Sequence, residues 1–195
     1  MGADHPRAED QRRMTMNSPR IPLVVPGTNP ALASLEQNIA RARGDISPLY
    51  RALLNSAPLA AGWETMLTAV RQKTSLDAAL RELVILRVAV LNRASFEFSA
   101  HLPLARQAGL SAAKIDAVRA APSAPPYDER ELAALAYADA MTRDVDVPDG
   151  VFEGVRAHFD AAKLVELTVL IAAYNMVSRF LVALRIEAPD ADHAR

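Results

Sequence analysis

The sequence contains no cysteine. That absence excludes disulfides, thiolate metal sites and any cysteine nucleophile or redox pair. Histidine is scarce: only His5, His101, His158 and His193 occur, two of them near the ends. A metal site built mainly from imidazole is therefore not expected. Neither sign of charge dominates, since 22 basic and 23 acidic residues leave a net charge of −1. This argues against a broad footprint on nucleic acid or on an anionic membrane. No uncharged apolar run reaches the ~18 residues of a membrane span; the nearest, LTVLIAAYNMVSRFLVAL, is interrupted by Asn175 and Arg179. The first twenty residues lack the apolar stretch of a secretory signal. Pro6 breaks the myristoylation pattern. There is no Gly-rich phosphate loop, nucleophile elbow or zinc signature. A soluble cytoplasmic protein is the expectation.

What is present favours helix. The chain has 195 residues, 51% apolar and 23% charged, with 5% aromatic, enough for one domain with a sizeable core. Residues 1–20 read as a disordered tail, 21–29 as an extended arm, 30–188 as one helical domain and 189–195 as a C-terminal tail. Ser47-Pro48, Ser111 and Asp160 each read as a helix start. Thr74-Ser75 and Ser95 read the same way. Asp128 with Glu131 fits a capping box. Gly44 and Gly109 read as helix stops. Pro103 falls inside a helical pattern and predicts a kink or a late start. No alternating strand pattern and no short repeat is evident, so the fold class is all-α.

Five polar positions stand out on apolar helical text. Glu82, in LRELVILRVAVL, shares a face with Ile85, Leu86 and Ala89. A carboxylate there is either buried in an ion pair or held as a general acid or base. Glu97 and His101 are four apart and share a helical face. Phe96, Phe98 and Leu102 shield that pair, which fits either a plain helix ion pair or a proton-transfer unit. Asn175 and Arg179 form a stripe with Thr168 on the last helix. Arg179 requires a partner, either Glu82, Glu97 or a substrate carboxylate gripped by its planar fork. Tyr174 and Ser178 are weaker candidates nearby. Arg71 and Lys73 end a helix and complement its dipole, although either fits the rim of an anion pocket. His158 and Trp63 read as structural.

LDAALRELVILRVAVLNRASFEFSAHLPLARQAGLS resembles the core of the carboxymuconolactone decarboxylase-like family, which includes the alkylhydroperoxidase D-like proteins. The stretch from Phe96 to His101 is similar to the Tyr-Glu-Trp-x-x-His-like motif of its cysteine-less branch, with Phe96 and Phe98 departing from the pattern. LVELTVLIAAYNMVSRFLVAL is similar to that branch's closing helix. The likeness runs from about Ile46 to Glu187. In the peroxidase branch a Cys-x-x-Cys pair is followed four residues later by histidine and preceded twelve residues earlier by glutamate. His101 and Glu82 match those two. Ala94 and Glu97 occupy the cysteine positions, so thiol peroxide reduction has no thiol to run on.

The resemblance implies a helical bundle that assembles as a homo-oligomer, from dimer to hexamer, and needs no cofactor. It implies a decarboxylase or related lyase or isomerase acting on a small carboxylated or lactone substrate. Glu82, Glu97 and His101 would be catalytic; Arg179, Asn175, Phe96, Phe98 and Tyr174 would contact substrate. A peroxidase-related label without the thiol mechanism, or a catalytically silent ligand-binding oligomer, are the other readings. Nucleic acid, membrane and metal are not expected partners. Convergence of Glu82, Glu97, His101 and Arg179 on a cavity would favour an enzyme.

Overall fold

The computed structural model describes residues 18–123 and 125–187. Of the expected 1–20 tail, residues 1–17 lie outside the described residues, while 18–20 are described and Arg20 is bonded to the Leu184 carbonyl; the C-terminal tail, 189–195, lies outside them. Among the described residues all regular structure is helical: after a 3-10 turn at Pro30–Leu32 come α1 (Ala33–Arg43), α2 (Pro48–Leu53), α3 (Ala57–Gln72), α4 (Ala78–Leu91), α5 (Ser95–Gln107), α6 (Ala112–Ala117), α7 (Glu129–Arg143), α8 (Asp149–Arg156) and α9 (Ala161–Leu184). The all-α expectation is met.

The helix starts follow side-chain chemistry. Ser111, Asp128 and Asp160 accept backbone N–H groups at the starts of α6, α7 and α9, and Asp128 with Glu131 forms the full capping box. Ser47 stands before Pro48 at the start of α2 without a side-chain bond. Two expected caps are corrected. Asp77, not Thr74 or Ser75, caps α4 through the Leu80 N–H at 3.0 Å. Ser75 gives its N–H and hydroxyl to Glu166 instead, both at 2.9 Å. Ser95 lies inside the first turn of α5, whose cap position is Ala94. α5 starts on time and runs through Pro103, whose side chain faces solvent. Gly44 and Gly109 end α1 and α5 with φ of 88° and 93°, a conformation that penalises any Cβ.

α4 is the axis of the fold. Leu83, Val84, Ile85, Leu86 and Val88 on it have no exposed surface, because α5, α7 and α9 cover it from different sides. Each such side chain is worth roughly 1.5–3 kcal/mol by burial. Arg87 lies in the same helix and is 1% exposed. Its Nε and Nη2 each lie 2.6 Å from Asp139, and its Nη1 donates to the carbonyls of Val118 and Ala120 at 2.8 and 2.6 Å. This buried cation has a carboxylate partner and three of its nitrogens bonded, and it ties α4 to α7 and to the end of α6.

α9 has the length and hydropathy of a membrane span, but half of its most apolar window is buried inside the chain, as for a core helix. The segment before α1 crosses the surface. Val24 N–H donates to the Arg51 carbonyl at 3.0 Å, and Arg20 N–H to the Leu184 carbonyl at 2.9 Å, which terminates α9.

Candidate active site

A cavity of about 290 Å³ opens between the end of α1, α2, α3, α5 and α9. α5 presents Phe96, Glu97, Ala100 and His101 to it, and α9 presents Tyr174, Val177 and Leu181. Both sets follow helical spacing, so each is one face of its helix.

Glu97 and His101 share this wall but are not bonded to each other, which corrects the expected helix pair. His101 Nδ1 lies 2.6 Å from Glu82 Oε2 across the α4–α5 interface. Glu82 Oε1 in turn lies 3.7 Å from Arg81 Nε. The carboxylate accepts, so Nδ1 carries the proton and the lone pair of the neutral ring is on Nε2. Nε2 has no hydrogen bond among the described residues. Tyr174 stands edge-on to the ring, with centroids 5.1 Å apart. Burial lowers the His101 pKa and outweighs the upward pull of Glu82, with Arg71 and Arg81 adding to the lowering. The ring is neutral at neutral pH.

Glu97 is 2% exposed. Its Oε2 accepts the Ser178 hydroxyl in a short hydrogen bond, and its buried Oε1 has no partner. Burial raises its pKa to about 8, although the Ser178 bond pulls the other way. At neutral pH it is a carboxylic acid. Two adjacent groups are thus set apart: an acid still holding its proton and an imidazole still free of one.

The cavity mouth carries a separate network. Glu64 accepts from Arg43 Nε at 2.9 Å and from the Tyr50 hydroxyl at 2.6 Å, and Thr68 bonds both Glu64 and Arg43. Burial pulls the Glu64 pKa up, but these bonds outweigh it and hold the carboxylate below its usual range. Burial, followed by the Glu64 bond, pushes the Tyr50 phenol upward; burial does the same to Tyr174. Among the described residues no group of three or more His, Asp or Glu could hold a metal ion.

The other expected contacts divide. Phe96 and Tyr174 line the cavity; Glu82 stands behind His101. Arg179 is solvent-exposed and does not line the cavity, so neither the expected internal partner nor the substrate contact is found. It projects on the outer side of α9, next to the fully buried Ser178. Asn175 is buried away from the cavity, giving its amide N–H to Thr142 at 2.9 Å and accepting from Asn92 at 2.9 Å. Phe98 points to another surface, with the Arg119 guanidinium 4.2 Å from its ring centroid. Sequence reasoning did not single out Arg43 and Tyr50, and it read Trp63 as core; all three line the cavity. A single sequence carries no signal for them, because tertiary packing decides which side chains turn towards the cavity.

Residues 57–140 match the Carboxymuconolactone decarboxylase family. The solved structure of ATU0492 from Agrobacterium tumefaciens, a protein of unknown function assigned only provisionally to antioxidant defence as AhpD, is 31% identical over 66% of this chain and 88% of that one, with a TM-score of 0.62. The chain belongs to the carboxymuconolactone decarboxylase family. The curated protein YnjA of Escherichia coli (strain K12), itself uncharacterized, is 34% identical over 120 residues, 60% of this chain. The match spans 65% of YnjA's length. A peroxidase-related AhpD-core protein from Ralstonia eutropha JMP134 shares the fold, with a TM-score of 0.76 over 88% of this chain and 93% of that one, at 16% identity.

Proposed function

We propose that this family member is an acid–base enzyme, a decarboxylase or related lyase or isomerase of small carboxylated or lactone compounds. The observation that carries the reading is the pair of buried proton-handling groups on one cavity wall: Glu97, hydrogen-bonded to Ser178 with no cation partner, and His101, with Nδ1 on Glu82 and Nε2 uncommitted. In a decarboxylation the substrate C–C bond breaks and carbon dioxide leaves. Its electron pair enters the conjugated framework, and Glu97 delivers a proton to the carbon that receives it. In a proton shift, His101 Nε2 takes the proton from one carbon and Glu97 returns one to another. Glu82 fixes the imidazole's tautomer and orientation and stabilises the imidazolium when it forms. The shielding of the cavity strengthens each of these effects. A cavity of about 290 Å³ suits a compact substrate.

Homo-oligomeric assembly belongs to the same reading, supported by the exposed Val165, Val169 and Met176 on α9; light scattering on the purified chain tests it. The test of the chemistry is turnover of a panel of small lactones and unsaturated carboxylates followed by proton NMR. Glu97→Gln and His101→Asn together should abolish any turnover the native chain shows. Turnover that survives both changes would remove the assignment.

A further inference from the structure

The ion pairs around the cavity leave one cation without a bonded partner. Arg43 is paired with Glu64. Arg81 and His101 share Glu82. Glu97 is buried, bonded to the Ser178 hydroxyl and without a cation partner. Asp45 is at the rim, exposed and screened by water. Arg71, at the end of α3, lines the cavity half-buried and has no ion pair or hydrogen bond among the described residues. A half-buried guanidinium without an acceptor is a cation awaiting an anion. Helix-dipole complementation explains a basic residue at this position. It does not explain why the side chain turns into a cavity that also holds His101 and Glu97.

We propose that Arg71 is the anion anchor of this cavity and that its ligands are small monocarboxylates. The assignment rests on the acid–base reading of the same cavity for the chemistry of the bound ligand. One uncompensated positive charge selects one negative charge: a neutral lactone or amide gains nothing from it, and a second carboxylate meets no second unpaired cation, since Arg43 is held by Glu64, and loses its hydration in the cavity. Tyr174 and Trp63 line the same walls with their rings.

Trp63 is the chain's single tryptophan and therefore a built-in reporter. Arg71 also faces a second cavity of about 360 Å³ with Arg81 and Glu82, but Trp63 does not line that one. The experiment is a tryptophan-fluorescence titration with furan-2-carboxylate, its neutral isostere furan-2-carboxamide and the dianion furan-2,5-dicarboxylate. The monocarboxylate should bind saturably and about tenfold or more tightly than either the amide or the dianion, the scale of one charge-assisted contact. Arg71→Gln should weaken the carboxylate about tenfold or more and leave the amide unchanged. Arg71→Lys should retain part of the affinity, and Arg179→Gln all of it. Equal binding of acid and amide overturns the proposal. So does undiminished acid binding in Arg71→Gln, or no saturable change up to tens of millimolar. If Arg71→Gln fails to fold, Arg71→Lys and the native acid–amide–dianion comparison still decide. Arg71-dependent binding alongside turnover that survives Glu97→Gln and His101→Asn would support the anchor and overturn the acid–base reading; the reverse pattern would do the opposite.

Discussion

Replacing Glu97 by glutamine should make the protein more stable, and increasingly so as pH rises. The carboxyl titrates at its ordinary 4.5 in the unfolded chain and at about 8 in the folded one. Above pH 4.5 the unfolded chain releases the proton while the folded chain keeps it. The folded state then binds more protons, and stability falls as pH rises, until the loss levels off above the folded value. Each pH unit in that window costs about 1.36 kcal/mol. At pH 7 the native chain has therefore lost about 3 kcal/mol from this single group, against about 1 kcal/mol at pH 5. Glutamine has no proton to release, and its carbonyl keeps an acceptor for Ser178. The two proteins should start within about 1 kcal/mol of each other below pH 4.5 and diverge above it. Urea unfolding at pH 5, 6, 7 and 8 measures the divergence, with equal m-values as the check that the unfolded states are comparable. A difference that is flat across this range, or that shrinks, would mean that Glu97 is not held as an acid.

The His101 ring should titrate below its ordinary value of 6.5, because burial outweighs Glu82; a ring-proton NMR titration above that value would reverse the balance. Its effect on stability has the opposite sign to that of Glu97, with stability falling as pH drops below 6.5, where the unfolded ring gains a proton first. Ser178→Ala removes the bond that holds the Glu97 pKa down, so the alkaline limb of any pH–rate profile should move to higher pH; an unmoved limb would detach Ser178 from the acid. Arg87→Met leaves the buried Val118 carbonyl without its donor and Asp139, 22% exposed, with only Arg143 at 3.8 Å, and should cost about 1–3 kcal/mol in urea unfolding. A loss under 1 kcal/mol would show that the interior rehydrates there.

Local chemistry made the fold legible: Asp128 with Glu131, Asp160 and Ser111 announce helix starts because their oxygens satisfy the first amides wherever the helix goes. Thr74 and Ser75 misled because Asp77 offers the same chemistry two residues later, with a carboxylate that reaches the Leu80 N–H. The site was legible in its ingredients and not in its pairings. Glu82, Glu97 and His101 stand out as polar groups on apolar text. That Glu82 takes the imidazole and Ser178 takes Glu97 depends on how α4, α5 and α9 meet. α9 hid most, because it is apolar on nearly every face. Its periodicity therefore cannot tell the inward Tyr174 and Ser178 from the outward Arg179, one residue beyond Ser178.

The cavity draws on two kinds of sequence. Glu82, Glu97, His101, Trp63 and Arg71 lie within the stretch that matches the family, 57–140. Arg43, Tyr50, Tyr174 and Ser178 come from the flanks on either side of it, delivered by α1, α2 and α9. The proposed acid–base groups thus lie inside the matched stretch, and a good part of the enclosing wall lies outside it. Substitutions in the flanks can reshape what fits the chamber while the proton-handling residues stay in place. Relatives that keep the central stretch and differ at its ends are predicted to share a chemistry and to part company over substrates.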